Sequence, residues 1–297
     1  MQRDPLEKLL TRSRKAMQNQ VDDSHALIQQ GILRKDRAFP SWPDTTPRCA
    51  QEVLTEVANW SVQISATLFA STLDHLYSLD RLILAGIDSR DSLHVWSYLT
   101  LSRVVVEAAT TFCELNDPDV ANEIRVGRAS AIIFAGRIAE LRHAEAIDKS
   151  LSDAERVRES LREFREKLIH AGFKIKTNRR GKEIALLRNG EEYPLDSRTT
   201  SKSKKWLVNS VAPYENGSAV THSSWWFLLS SFSVQPEKMI PAFDPNILAI
   251  SVSCCLDSLF AMSRTVAPDE MTERVEYLEK KTNQRIEIVI HAGRNCD

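Results

Sequence analysis

Apolar residues along this chain recur mostly three and four positions apart, which predicts helices rather than strands. A polar helical lead covers residues 4–30, and Phe39-Pro40-Ser41-Trp42-Pro43-Asp44 breaks it. Proline there removes backbone donors and pushes the residue before it out of the helical region. From about Cys49 to Ala85, Phe69, Leu73, Leu76, Ile83 and Ile87 form one apolar stripe that includes Asp80. Gly86 stands where a C-terminal cap is expected. The next helix, about Leu93 to Leu115, carries Leu99, Leu101, Val104, Val105, Val106, Ala108, Ala109 and Phe112 on nearly every side, so it is expected to be buried all round. Asn116-Asp117-Pro118 ends it. Further helices are expected over about Val120 to Asp148 and from Ser152 to near Gly172, the second opened by a capping box with Glu155.

The pattern changes at 174–206. Ten Lys and Arg (Lys174, Lys176, Arg179, Arg180, Lys182, Arg188, Arg198, Lys202, Lys204, Lys205) face four acids, with Gly181 and Gly190 in turn-like settings. Ile184 to Leu187 reads as a short strand, so a small basic hairpin is expected. It is either a solvated surface excursion or a flap facing phosphate or RNA, with Trp206 as a stacking partner. Helices resume over about Trp206 to Phe232 and Pro245 to Met262. A charged helix then starts at Pro268-Asp269 and faces water or a second copy in a homodimer. Ile286 to Ile290 reads as a strand-like tail.

The expected architecture is therefore an all-α multi-helix bundle with a small basic hairpin or loop insertion. Residues 1–45 form a helical lead and linker, 46–265 the core domain, and 266–297 a charged helix and tail. Nine glycines in 297 residues fit long helices with few tight turns. A formal net charge of −1 gives no global field toward nucleic acid. The five cysteines (Cys49, Cys113, Cys254, Cys255, Cys296) include no CxxC, which points to a reducing, cytoplasmic compartment and inert packing for Cys113 and Cys254. The charged N-terminus lacks the apolar core of a secretory signal. Ile247 to Met262, interrupted by Asp257 and serines, reads as a buried core helix rather than a membrane span.

Several constellations could carry chemistry. Arg103 and Glu107 share a helix face inside the most apolar helix, and either tie helices together or mark a polar pocket. Asp74, His75 and Asp80 lie nearby in sequence, with Asp80 a candidate partner for Arg103 or Arg128. Tyr214, Ser218 and His222 fall at four-residue spacing, followed by Trp225 and Trp226; a serine and a histidine alone do not make a nucleophilic dyad. Glu140 and His143 form an ExxH that, with Glu107 and His222, offers part of a two-iron carboxylate site. Arg165 to His170 and Arg137 to His143 fit the loose arginine–histidine spacing of HEPN ribonucleases.

Taken in order, Leu73-Asp74-His75-Leu76, then Arg103 and Glu107 in LSRVVVEAAT, then Arg125 and Arg128, then Tyr214, Ser218 and His222 resemble a large group of bacterial helical proteins of unknown function. The resemblance covers about 65–265 and implies an all-α, distantly HEPN-like fold without an established activity. His222 departs from the HEPN nuclease motif, because no arginine stands four to six residues before it, and Ser223 replaces the expected glycine. On this reading Glu107, His222, Arg103 and His75 act on a small polar or anionic ligand that Asp74, Arg128, Tyr214 and Ser218 bind. The alternatives are a HEPN-like ribonuclease or toxin of a defence system that grips RNA through 174–206, a dimetal oxidase, and a helical interaction module without chemistry.

Overall fold

The computed structural model describes residues 4–34, 46–89, 95–147, 152–196, 199–207 and 244–296. Its architecture is all-α, with one small sheet. The helices are α1 (Pro5–Ile32), α2 (Arg48–Asp88), α3 (Val95–Leu115), α4 (Asn122–Ile147), α5 (Ser152–His170), α6 (Thr199–Trp206), α7 (Pro245–Val266) and α8 (Thr272–Arg294). Between α5 and α6 run β1 (Lys174–Thr177), β2 (Glu183–Arg188) and β3 (Glu191–Pro194). The described residues divide into two compact units. One lies within Met1–Ile32, Ala66–Cys113 and Thr199–Asp297, the other within Leu33–Ser65 and Glu114–Arg198.

In the first unit α1, α7 and α8 pack on one another. Asp244 caps α7 by accepting from the Asn246 amide at 2.8 Å, and Pro245 starts the helix where its missing N–H costs nothing. α7 is long and apolar enough to cross a membrane, yet 78% of its most apolar window is buried inside the protein. Three of its hydroxyls bond within the helix, Ser253, Ser263 and Thr265 donating to the carbonyls of Ala249, Leu259 and Ala261 at 2.7, 2.8 and 2.6 Å, whereas the buried Ser251 and Ser258 hydroxyls find no partner among the described residues. Close approach follows from small residues. Gly31 of α1 lies against Val266, and Gly293 of α8 against Ala249. A polar clamp joins α1 to α8. The buried Gln20 amide donates to Thr282 at 2.9 Å, and Arg285 donates to Gln20 Oε1 at 2.7 Å and pairs with Asp23. The lead and the C-terminal helix are thus parts of a core that includes Leu9, Leu27, Ile28, Leu278 and Val289.

Three sequence expectations change here. α2 continues past Gly86 to Asp88, with Gly86 buried inside the helix rather than capping it. Ile286 to Ile290 is not a strand. Burial at Leu278, Thr282, Val289 and Ala292 follows the helical period, while Ile288 is exposed, so the apolar face of α8 overrides the β-branched run. Trp206 ends a short helix rather than starting one; the helix expected from about Trp206 to Phe232 lies, from 208 on, outside the described residues. Trp206 is buried, with the Lys205 ammonium 4.3 Å from its ring centre, so it is no exposed stacking platform.

In the second unit α4 and α5 pack together, and β2 and β3 lie on α4. An aromatic ladder joins the early part of α2 to this pair. Trp60 stacks on Phe164 at 5.8 Å, Phe164 meets Phe134 at 6.5 Å, and the Arg137 guanidinium lies 4.8 Å from Trp60 and 5.0 Å from Phe164. α5 ends before Gly172, where the Gly172 and Phe173 amides bond back to Ile169 and Leu168, each at 3.0 Å. The expected hairpin is a three-stranded antiparallel meander, β1-β2-β3. Arg188 pairs with Glu191 across Asn189-Gly190, and both turn residues have positive φ (51° and 83°), as a two-residue turn matched to strand twist requires. Nor is the meander a solvated excursion: Ala185 and Leu186 are buried, and the Tyr193 ring sits on Gly127 of α4. The basic segment is also split, because the sheet belongs to the second unit and α6 to the first.

Two predictions follow from these packings. A Cβ at Gly127 would lie 2.2 Å from Tyr193 Cζ, so Gly127→Ala should destabilise the protein by about 1–3 kcal/mol in urea unfolding despite its better helix propensity. Burial of Tyr98 on α3 pushes its phenol from 10.0 up to about 12. Below pH 10 the phenol is neutral whether the chain is folded or not. Between pH 10 and about 12 only the unfolded chain ionises there, so this contribution to stability is lost as pH rises. Urea midpoints should fall more steeply over that window in the wild type than in Tyr98→Phe.

Candidate anion-binding cleft

The structure distributes the sequence-predicted site residues unevenly. Arg103 and Glu107 do pair: Arg103 Nε and Nη2 each lie 2.9 Å from Glu107 Oε1. Their side chains are 14% and 36% exposed, so the pair is only partly buried. α3 accordingly keeps one half-exposed stripe, through Thr100, Arg103, Val104, Glu107 and Thr111, which corrects the expectation of burial on every side. Asp80 pairs with neither Arg103 nor Arg128. It accepts from Arg14 of α1 at 2.9 Å and from Gln18 at 3.4 Å, partners that sequence spacing could not reveal. Asp74 is exposed on α2, and His75 donates from Nδ1 to the Ser71 carbonyl of its own helix at 2.7 Å. Tyr214, Ser218 and His222 lie outside the described residues.

Arg128 belongs to the second unit. Its Nη1 donates to Asp117 Oδ2 at 3.0 Å and to the Glu114 carbonyl at 3.1 Å. Asp117 is fully buried, and its other oxygen accepts from the Asp119 amide at 3.1 Å. The arginine thus holds the C-terminal end of α3, where the helix dipole favours a cation. Glu140 and His143 are exposed on α4, and among the described residues no three His, Cys, Asp or Glu side chains gather as a metal site needs. His170 is exposed and bonded to the Glu166 carbonyl at 2.7 Å.

The described residues instead bring a different set together. A cleft of about 820 Å³ opens in the second unit among α4, α5 and the meander. Ala135, Ile138 and Arg142 come from one face of α4, at helical spacing. Arg165 comes from α5, the β1–β2 turn contributes Asn178 and Lys182, and the start of β2 contributes Glu183 and Ile184. Leu195 and Asp196 close it after β3, with the Leu195 amide bonded to the Ile184 carbonyl at 2.9 Å. One wall is therefore apolar, and the rest carries three cations against two carboxylates. Arg142, Lys182 and Asp196 are exposed. Arg165 pairs with Glu183 and lies 6.0 Å from the Phe134 ring centre.

The turn that presents Lys182 is internally fixed. Asn178 Oδ1 accepts from the amides of Arg180 and Lys182 at 2.9 and 3.0 Å, while the Asn178 amide donates to the Lys182 carbonyl at 2.8 Å. Gly181 has φ +74°, which admits glycine without strain. Arg179 and Arg180 extend from the same turn into solvent. Beyond the cleft, burial and then the charge of Glu191 raise the Tyr193 phenol, consistent with a neutral packing role on Gly127. Burial, with the neighbouring Cys254, also raises the Cys255 thiol well above its ordinary value, so it is unreactive packing.

No protein-family model, curated protein or solved structure matches this chain.

The two ion pairs should respond differently to removal of one charge. Asp117→Asn leaves Arg128 opposite a buried neutral group and should cost about 3 kcal/mol in urea unfolding. Glu107→Gln acts on a pair that is only partly buried and should cost less, about 1 kcal/mol.

Proposed function

We propose that this protein binds a small anionic ligand, with the cleft between α4, α5 and the meander as the site. One observation supports the reading above others: Arg142, Arg165 and Lys182, far apart in the chain, converge on one cavity with an apolar wall. A volume of about 820 Å³ suits a small organic molecule. Arginine and lysine together offer bidentate and point-charge contacts to a phosphate or carboxylate. The preformed Asn178–Lys182 turn lowers the ordering cost of binding. The reading is one of binding, and no reaction is assigned. It keeps the ligand class expected from the sequence but moves the site away from Arg103 and Glu107.

A second reading has specific support. Arg179 and Arg180 project from the tip of the same turn, beyond the cavity, where they could extend contact along an RNA backbone.

Isothermal titration with phenyl phosphate tests the first reading. The wild type should bind saturably, and an Arg142→Ala/Lys182→Ala double variant should bind at least about tenfold more weakly. Equal affinity in both proteins, or no saturable binding by the wild type, would sink it.

A further inference from the structure

Taking the cleft as an anion site, we infer that its three cations favour a dianionic ligand, a phosphate monoester ahead of a diester, and that Glu183, the built-in counter-anion of Arg165, holds that affinity down. Both side chains line the cavity, and the guanidinium donates to the carboxylate within it. They are 41% and 19% exposed, so the carboxylate is the more enclosed partner. Arg165 is held beside the Phe134 ring, and Glu183 opens β2, paired with Thr177 at the point where the β1–β2 register shifts.

An incoming oxyanion therefore meets a guanidinium already occupied. It must displace Glu183 or share the arginine with it. Displacement leaves a partly enclosed carboxylate without its partner, and sharing places two anions against one cation. A ligand with a single charge exchanges one ion pair for another and gains little. A dianion brings a second charge to Arg142 and Lys182, which have no such internal competitor among the described cleft contacts. Asp196 is a second internal anion that repels any ligand in proportion to its charge, and the three cations outnumber the two carboxylates by one. A phosphate monoester carries between −1.5 and −2 at pH 7, with a second pKa near ~6, whereas a backbone diester carries about −1. The arrangement thus favours a terminal phosphate on a small molecule over the internal phosphates of a nucleic-acid chain.

The test compares phenyl phosphate with methyl phenyl phosphate, which share an apolar body, by titration calorimetry on the wild type and on Glu183→Gln. The wild type should prefer the monoester by about tenfold or more, and that preference should shrink as pH falls through ~6 and the monoester becomes a monoanion. Glu183→Gln should bind both esters more tightly and gain most for the monoester, whose greater charge Glu183 repels more, so that the ratio widens. Equal affinity of the wild type for the two esters would overturn the inference even if the variant failed to fold. So would a folded variant, checked by circular dichroism, whose ratio matched the wild type. Binding of neither ester by the wild type would instead remove the anion-cleft reading on which the inference rests.

Discussion

A hydroxyl buried in a helical core needs a partner, and several in the first unit find it within their own helix, while Ser13, Ser251 and Ser258 find none among the described residues. Along α7, Ser253, Ser263 and Thr265 bond carbonyls one turn back in their own helix. A side chain satisfied this way constrains no neighbour and stays small, so helices approach closely at Gly31 and Gly293. The cost is that such contacts carry little directional information. Register between α1 and α8 is supplied by polar groups that do reach across, Gln20 held by Thr282 and Arg285, and Arg285 paired with Asp23. An apolar core with one cross-helix amide is a common physical solution to specifying alignment, since slippage would strand the amide.

The second unit is organised differently. Its helices meet through large flat side chains, with Arg137 lying against Trp60 and Phe164 and Arg165 against Phe134. Arginines used this way bury their planes while their edges remain available for hydrogen bonds. Arg137 spends its edge on Ser160 and Arg165 on Glu183. The same packing that stiffens the unit therefore delivers one guanidinium to the wall of a cavity.

Long helices were legible in the sequence because their apolar positions repeat over many turns, as in α2 and α3. Arg103 and Glu107 were legible because an i,i+4 pair is a local matter. What failed was information that lives off the local chain. The alternation in Ile286 to Ile290 fits a strand until α1 and α7 decide which residues are covered. Asp80 finds Arg14, 66 residues away, a pairing no spacing rule encodes. The cleft was hidden for the same reason. Its cations had each been visible, Arg142 beside the ExxH, Arg165 in an arginine–histidine spacing and Lys182 in a basic run. Only the seating of the meander on α4 makes them neighbours. A clearer signal was available in Asn178-Arg179-Arg180-Gly181-Lys182, where an asparagine and a glycine bracket cations between two strand-like segments.

The seat of Tyr193 on Gly127 has a consequence for how the cleft is built. Tyr193 precedes Leu195 and Asp196 by two and three residues on a nearly extended chain, and Leu195 is bonded to Ile184 across the strand. Gly127 lies two turns before Ala135 on the helix that forms the opposite wall. One side of the cavity is thus pinned to the other through a ring resting in a notch. The width of the opening and the register of the sheet on α4 are a single mechanical variable. A change that lifted the ring from the notch would move Leu195 and Asp196 relative to the α4 wall.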